Sequence, residues 1–415
     1  MRRALPVLAV VASALAVGLP GALGGSQATP GVTDRLITIG GTFPLSGPAS
    51  SYAPIARGMA AYFSYINARR GPDKKRGVMG RQIRFIYYDD AYNPVQTVQQ
   101  TRRLVEQDKV FALVGGLGTE PQLAVREYLN AKKVPQVFVS TGATLWGAEH
   151  DKYPWTIGWQ PDYQAEAAVY GKRIAATDPN AKIAVLYQND DYGRDYIAGL
   201  EAGLRAKKSQ IVATRGFNVN DPAVTSQLVD LRRSGADTLM IFATPAKTIQ
   251  TYATLARLGW KPDKIYLNSV SATDAFMTTA VRLAGADVVN GSISVQYLKD
   301  PANPEWDNDP GMQLYRRIMA KYLPGANDKD GLYLYGFAKA EDFVQALYQT
   351  GKNLTREALM KTIDNFTNAK NPFALPGAIT KTGPKDPFPI SHMRLIRFDK
   401  GTWTPIGPLV NGRGR

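Results

Sequence analysis

The sequence predicts an α/β protein built from two lobes, each around a parallel sheet. Short runs rich in β-branched residues alternate with longer segments of helical period, the pattern of βαβ units. That alternation breaks at Gln160-Pro161-Asp162 and then starts afresh. The chain has 415 residues, 44 % hydrophobic and 20 % charged, too long for one small domain and too apolar to be disordered.

The first strand is expected over 36–42, running into the turn-rich loop Pro44-Leu45-Ser46-Gly47-Pro48. A helix over 54–70 follows, with Ile55, Met59, Tyr62 and Ile66 on one side. The strand 82–88 closes on Asp89-Asp90, and Asn93-Pro94 opens the next helix, asparagine as cap and proline at the first position. Strand 111–114 ends in Gly115-Gly116-Leu117-Gly118-Thr119, before a helix over 120–132. Strand 134–139 ends in Ser140-Thr141-Gly142-Ala143-Thr144. Small and hydroxyl-bearing residues thus recur at the carboxyl ends of strands, where open α/β sheets place ligands.

Beyond the break, a helix over 163–176 and a strand over 182–187 begin the second lobe. Further strands are expected at 211–217, 238–242, 264–267 and 292–297, with helices at 226–234 and 247–258. Helices then dominate over 311–321, 332–348 and 355–364. Segments 393–398 and 402–406, joined by Asp399-Lys400-Gly401, read as a hairpin. A pocket between two such lobes, lined by loops at strand ends, is the expected ligand site.

Composition narrows the chemistry. Cysteine is absent, which excludes disulfides, thiol nucleophiles, thiolate metal sites and a lipid-modified cysteine. Only His150 and His392 are histidines, so a histidine-rich metal centre is excluded and no metal site is expected. No Gly-x-Ser-x-Gly elbow is present and neither histidine sits in the pocket loops, so no catalytic residue and no cofactor are expected. The formal charge of +15 is spread without a nucleic-acid motif, which argues against DNA or RNA and for solvated faces near an anionic membrane.

The amino terminus reads as a secretory signal peptide over 1–28: Arg2 and Arg3, an apolar run over 4–19, then small residues, with cleavage between Gly24 and Ala28. The alternative is a membrane anchor, but Pro6, Ser13 and Gly18 interrupt a run that is barely long enough to span. Export without a lipid-bearing cysteine suits a Gram-negative periplasm.

These residues bring a family into view. Ile39-Gly40-Gly41 with Leu45-Ser46-Gly47-Pro48, Tyr-Ile-Asn-Ala at 65–68, Tyr88-Asp89-Asp90-Ala91-Tyr92-Asn93-Pro94, Thr141-Gly142-Ala143-Thr144, Lys182-Ile183-Ala184-Val185 and Asp191-Tyr192-Gly193 occur in order over nearly the whole mature chain. The chain resembles the leucine/isoleucine/valine-binding proteins, periplasmic solute-binding components of ABC importers. The resemblance implies a type I periplasmic binding fold: two Rossmann-like lobes joined by a three-segment hinge, closing on a small molecule and delivering it to an inner-membrane permease. It places lobe one at 33–160 with 298–380 and lobe two at 161–297 with 381–415, in a chain expected to be monomeric.

The resemblance also assigns candidate ligand-binding residues. Thr119 and Gly142-Ala143-Thr144 match the family's carboxylate grip, where small residues let the backbone approach an anion, hydroxyls donate and helix starts favour negative charge. Helix capping is the alternative role for Thr119 and Thr144, and both roles fit one geometry. Tyr52 matches a tyrosine lining the pocket, and Tyr192 one reaching across from the second lobe. Trp146, Trp155 and Trp159 lie near the carboxylate loop and are expected in the core.

Two positions depart from the family. Thr244 stands where the amino-acid binders have a further tyrosine, and Asn268-Ser269-Val270-Ser271 where they have the glutamate that pairs with the ligand ammonium. Asp274 is the nearest carboxylate, with helix capping beside Thr273 as its other role. A buried ammonium needs a partner, so Asp274 or a carbonyl supplies it, or the ligand lacks an α-amino group. The expected ligand is a branched-chain or other hydrophobic amino acid or a related carboxylate. The alternatives are an amide, urea or aromatic acid in the same transport role, or a ligand-sensing receptor domain.

Overall fold

The computed structural model describes residues 29–413. The leader expected over 1–28 lies outside the described residues. The chain opens with β1 (Leu36–Phe43), α1 (Pro54–Ala68), β2 (Gln82–Asp89), α2 (Pro94–Glu106), β3 (Leu113–Val114), α3 (Thr119–Ala131), β4 (Gln136–Val139), the single turn α4 (Leu145–Ala148) and β5 (Thr156–Gly158). These strands form a parallel five-stranded sheet in the order β2-β1-β3-β4-β5. Regular pairing keeps only Leu113 and Val114 of the strand expected over 111–114, although the Phe111 N–H already donates to the Thr38 carbonyl at 2.7 Å. Asn93 caps α2 as expected, accepting from the N–H groups of Val95 and Gln96 at 2.9 and 3.3 Å.

The second sheet takes up α5 (Tyr163–Thr177), β6 (Ile183–Gln188), α6 (Asp191–Leu204), β7 (Ile211–Phe217), α7 (Thr225–Arg233), β8 (Thr238–Phe242), α8 (Pro245–Leu258), β9 (Lys264–Leu267), α9 (Asp274–Ala284), α10 (Ala286–Val289) and β10 (Ile293–Gln296). The chain then returns to the first sheet's side as α11 (Pro310–Tyr322), α12 (Gly331–Thr350) and α13 (Arg356–Ile363), where α11 and α12 pack against α1. The two-residue strands β11 (Thr367–Asn368) and β12 (Thr380–Lys381) pair with each other. Finally β13 (His392–Asp399) and β14 (Thr402–Asn411) form the expected hairpin and add antiparallel to β10, giving a seven-stranded sheet in the order β14-β13-β10-β9-β8-β6-β7. All the other pairings in this sheet are parallel.

The chain therefore passes between the sheets three times, after β5, after β10 and before β13. Helix α12 anchors two of these passages. From Leu332 to Leu347 nearly every residue is buried, including Lys339, Glu341 and Asp342, so its apolar residues run all round the helix instead of along one stripe. Asp342 accepts four donors: Trp159 Nε1 at 2.7 Å from the first passage, Thr380 Oγ1 at 2.7 Å from the third, and the amides of Asn368 and Asn371 at 2.8 and 3.1 Å. Burial lifts its carboxyl to about 6, against the pull of those donors.

Away from α12, His150 Nε2 meets Asp364 Oδ1 at 3.0 Å, and this carboxylate raises the imidazole above its ordinary value of 6.5. Each site suggests a measurement. Asp342→Ala leaves four buried donors without their acceptor, and chemical denaturation should show a loss of about 3–5 kcal/mol. His150→Gln removes a stabilisation that is complete below the imidazole's ordinary value and fades as pH rises through its raised one. Melting curves of this variant and the parent should therefore diverge at acidic pH and converge at alkaline pH.

Candidate ligand-binding cleft

A cleft enclosing about 980 Å³, partly open to solvent, lies between the two sheets at the carboxyl ends of their strands. The loop after β1 brings Tyr52, the loops after β3 and β4 bring Thr119 and Ser140, and α12 brings Tyr335. From the second sheet come Tyr192 at the start of α6, Thr244 before α8 and Ser269 after β9. Six tyrosines line the space: Tyr52, Tyr92, Tyr163, Tyr192, Tyr297 and Tyr335. Burial pushes every one of these phenols above its ordinary range, so all remain protonated and able to donate.

Two walls already touch. Tyr52 Oη donates to the Val270 carbonyl at 3.3 Å, and the Asp191 N–H donates to Glu120 at 3.3 Å. The Thr144 N–H likewise reaches Asp195 on α6 at 2.7 Å. These bonds span the cleft from the first sheet's loops to the second's.

Tyr52, Thr119, Tyr192, Thr244 and Ser269 thus share one cavity, whereas Gly142, Ala143 and Thr144 lie outside its lining. The reason is steric and electrostatic. A Cβ on Gly142 would stand 2.2 Å from the Pro161 carbonyl oxygen and 2.7 Å from the Tyr163 ring, so this glycine serves close approach to the first passage. Ala143 is 2 % exposed and, with Gly142, faces a small separate cavity beside Trp146 and Phe388. The Thr144 hydroxyl donates to buried Asp162, which also pairs with Arg413 at 2.6 Å.

Neither threonine caps a helix with its side chain. Thr119 is the first residue of α3 and its hydroxyl bonds Thr141 Oγ1 at 2.6 Å, while the cap residue Gly118 sits at φ +103° with the Tyr92 ring 2.6 Å from where a Cβ would be. The start of α3 therefore presents its positive dipole end to the cleft. Trp146, Trp155 and Trp159 do not line the cleft; Trp159 is fully buried against Asp342. Trp403 of β14 lines it instead.

Several participants carry no pattern that sequence reasoning could read. Lys339 is fully buried, and its ammonium donates to Ser140 Oγ and, at 3.2 Å, to Tyr335 Oη, both on the cleft floor. Burial lowers its amine well below the ordinary lysine range, against the pull of the Asp342 carboxylate. Its ring neighbours are Trp159 and Tyr335, with centroids at 5.0 and 4.5 Å. In the sequence it is only the first charge after the apolar run 332–338, which says nothing of where it points. On the second lobe, fully buried Glu166 accepts from the Ser269 N–H at 2.8 Å, Ser269 Oγ at 2.7 Å and Tyr170 Oη at 2.8 Å. Asn268 donates to Tyr192 Oη. The stretch without a carboxylate of its own thus rests on one from α5.

A sequence profile described as periplasmic binding protein matches residues 36–402. The chain belongs to the periplasmic binding protein family. It is 23 % identical over 322 residues to Leu/Ile/Val-binding protein homolog 7 of Brucella abortus, covering 75 % of this chain and 76 % of that one. The valine-bound structure of a branched-chain amino acid ABC transporter protein from Thermus thermophilus superposes with a TM-score of 0.79 at 17 % identity, over 92 % of this chain and 97 % of that one. A fatty acid ABC transporter substrate-binding protein from Thermomonospora curvata gives 0.76 at 18 % identity, over 93 % and 95 %. The fold is that of type I periplasmic binding proteins, and the family is one of substrate-binding proteins.

In this periplasmic binding protein, Lys339 is a fully buried amine whose charged form burial disfavours and only the more distant Asp342 carboxylate favours. Replacing such a group by an apolar chain of similar length removes a desolvation penalty. Lys339→Met is expected to keep or raise the melting temperature of the ligand-free protein while weakening binding of carboxylates, as calorimetry on the same samples would show.

Proposed function

We propose that this chain is an exported solute-binding protein that captures a small carboxylate between its lobes and hands it to an ABC permease in the inner membrane. The observation that carries the reading is the tyrosine-lined cleft with a floor of hydroxyls backed by Lys339. An anion there meets the start of α3, the hydroxyls of Thr119 and Ser140, and neutral phenols that donate without a competing charge. Valine and fatty acid, named for two structural neighbours, share a carboxylate and differ in the rest.

In this reading the lobes comprise 33–160 with 298–380 and 161–297 with 381–415, a division the sheet memberships support. The protein works as a monomer in the periplasm, closing by rotation about the three passages. No helix among the described residues is long and apolar enough to cross a membrane.

One observation moves the ligand away from leucine. Beside Asn268 to Ser271, the stretch at the family's ammonium position, Glu166 is already engaged by Ser269 and Tyr170, so this stretch offers no free carboxylate to an α-amino group. Hydrophobic and aromatic acids are therefore favoured over α-amino acids.

Thermal-shift measurements on the mature protein with leucine, valine, benzoate, hexanoate, acetamide and urea test this reading, because a ligand selective for the folded state raises the melting temperature. Carboxylates should raise it and neutral amides should not. Thr119→Ala should weaken the effective carboxylates about tenfold, the value of one charge-assisted hydrogen bond. His150→Gln and His392→Gln should leave binding intact. A response to acetamide or urea alone would overturn the assignment.

A further inference from the structure

Part of the cleft wall carries negative charge that no cation among the described residues neutralises. Asp300, in the passage leaving β10, lines the cleft and is 8 % exposed; one carboxylate oxygen accepts the Ala302 N–H at 2.9 Å. Facing it from the second lobe is Asp274, the first residue of α9, 6 % exposed and aimed at the Asp300 carboxyl. Neither Asp274 oxygen receives a hydrogen bond from an N–H or hydroxyl group. It does not cap α9, since that role falls to Thr273, whose hydroxyl accepts the Phe276 N–H at 3.4 Å.

A third carboxylate adds to this field. Asp330 caps α12 from the first lobe, accepting the Leu332 N–H at 3.0 Å, and its charge acts on Asp300. The neighbouring cation is turned away, with Lys299 Nζ on Asp309 at 2.7 Å and on the Pro372 carbonyl at 2.8 Å. Two facing carboxyls in a dry site cannot both ionise without a counter-charge, so they share a proton or hold a cation. Burial and mutual repulsion raise both above the ordinary carboxylate range.

We propose that Asp300, backed by Asp274, forms a subsite for a cationic nitrogen, an ammonium or guanidinium group, carried by the ligand. This rests on the cleft being a solute-binding site. Helix α12 sets the length of that ligand. Its first residue, Gly331, lies against Pro301 and Thr273, with a Cβ there 3.9 and 3.7 Å from their side chains, whereas Lys339 stands behind the hydroxyl floor. At 1.5 Å per residue these positions are about 12 Å apart along the helix. An α-amino acid, whose two charged groups share one carbon, cannot reach both. A carboxylate with an amine several bonds away can.

The test is calorimetric titration of the mature protein with 6-aminohexanoate and hexanoate, beside leucine and benzoate. The terminal amine should raise affinity about tenfold or more over hexanoate, the strength of one hydrogen bond to a charged group. Asp300→Asn, which keeps an acceptor for the Ala302 N–H, should erase that ratio. In the unaltered protein, cation binding should displace the shared proton near neutral pH, seen as a heat that varies with the buffer's ionisation enthalpy. Equal affinities for the two acids, or an amine advantage that survives Asp300→Asn, would overturn the subsite alone. If no carboxylate of the set binds, the solute-binding reading fails and the subsite with it.

Discussion

A buried carboxylate, that of Asp342, ties together the parts of the chain that run between the lobes. Its four donors come from the first passage, from the third, and from the loop that contains Asn368 and Asn371. A buried anion needs such partners, and partners so arranged have little freedom. The first and third passages are therefore each fixed at one point to α12. The same helix carries Glu341, which accepts from Tyr62 Oη at 2.5 Å and so binds α12 to α1.

From this anchor the cleft follows by topology. In the first sheet the strand order turns around β1, and the loops after β1 and β3 open on opposite sides of that point, where a crevice forms at the carboxyl ends. The second sheet contributes loops after β6, β8, β9 and β10 in the same sense. Because both sets of loops end over α12, its successive turns present Leu332, Tyr335 and, behind the floor, Lys339. The electrostatic grading along the cleft is thus a property of one helix and its neighbours. Acidic groups gather at its amino end, and a lysine lies two turns on.

Most of the fold was legible because strands and helices of a parallel α/β protein have distinct periods, and turn residues separate them. The hairpin after 391 and the asparagine cap at 93 were equally local signals. Short pieces such as β11, β12, α4 and α10 were not legible, since two to four residues hold no period. For the site, residues of the segments that lead from a strand into the next helix were legible: Thr119, Tyr192, Thr244 and Ser269 face the cleft, as does Tyr52. Gly142, Ala143 and Thr144 share the right motif, but their loop turns toward the first passage because of contacts with Pro161, Tyr163 and Asp162 that are distant from any local pattern. Tyr163, Tyr297, Tyr335 and Lys339 project from helices or passages, and only tertiary packing shows which of their faces meets the ligand space.

The central claim is that the two lobes close as a clamp on a small molecule. The chain has no cysteine of its own, so Val95→Cys on α2 and Leu283→Cys on α9, positions 67 % and 55 % exposed on opposite lobes, accept a spin-label pair cleanly. Distances between the labels, measured by double electron–electron resonance with and without a carboxylate that raises the melting temperature, report closure directly. The account predicts a broad distribution in the free protein that collapses to one shorter, narrower distance at saturation. Identical distributions in the two states would contradict it.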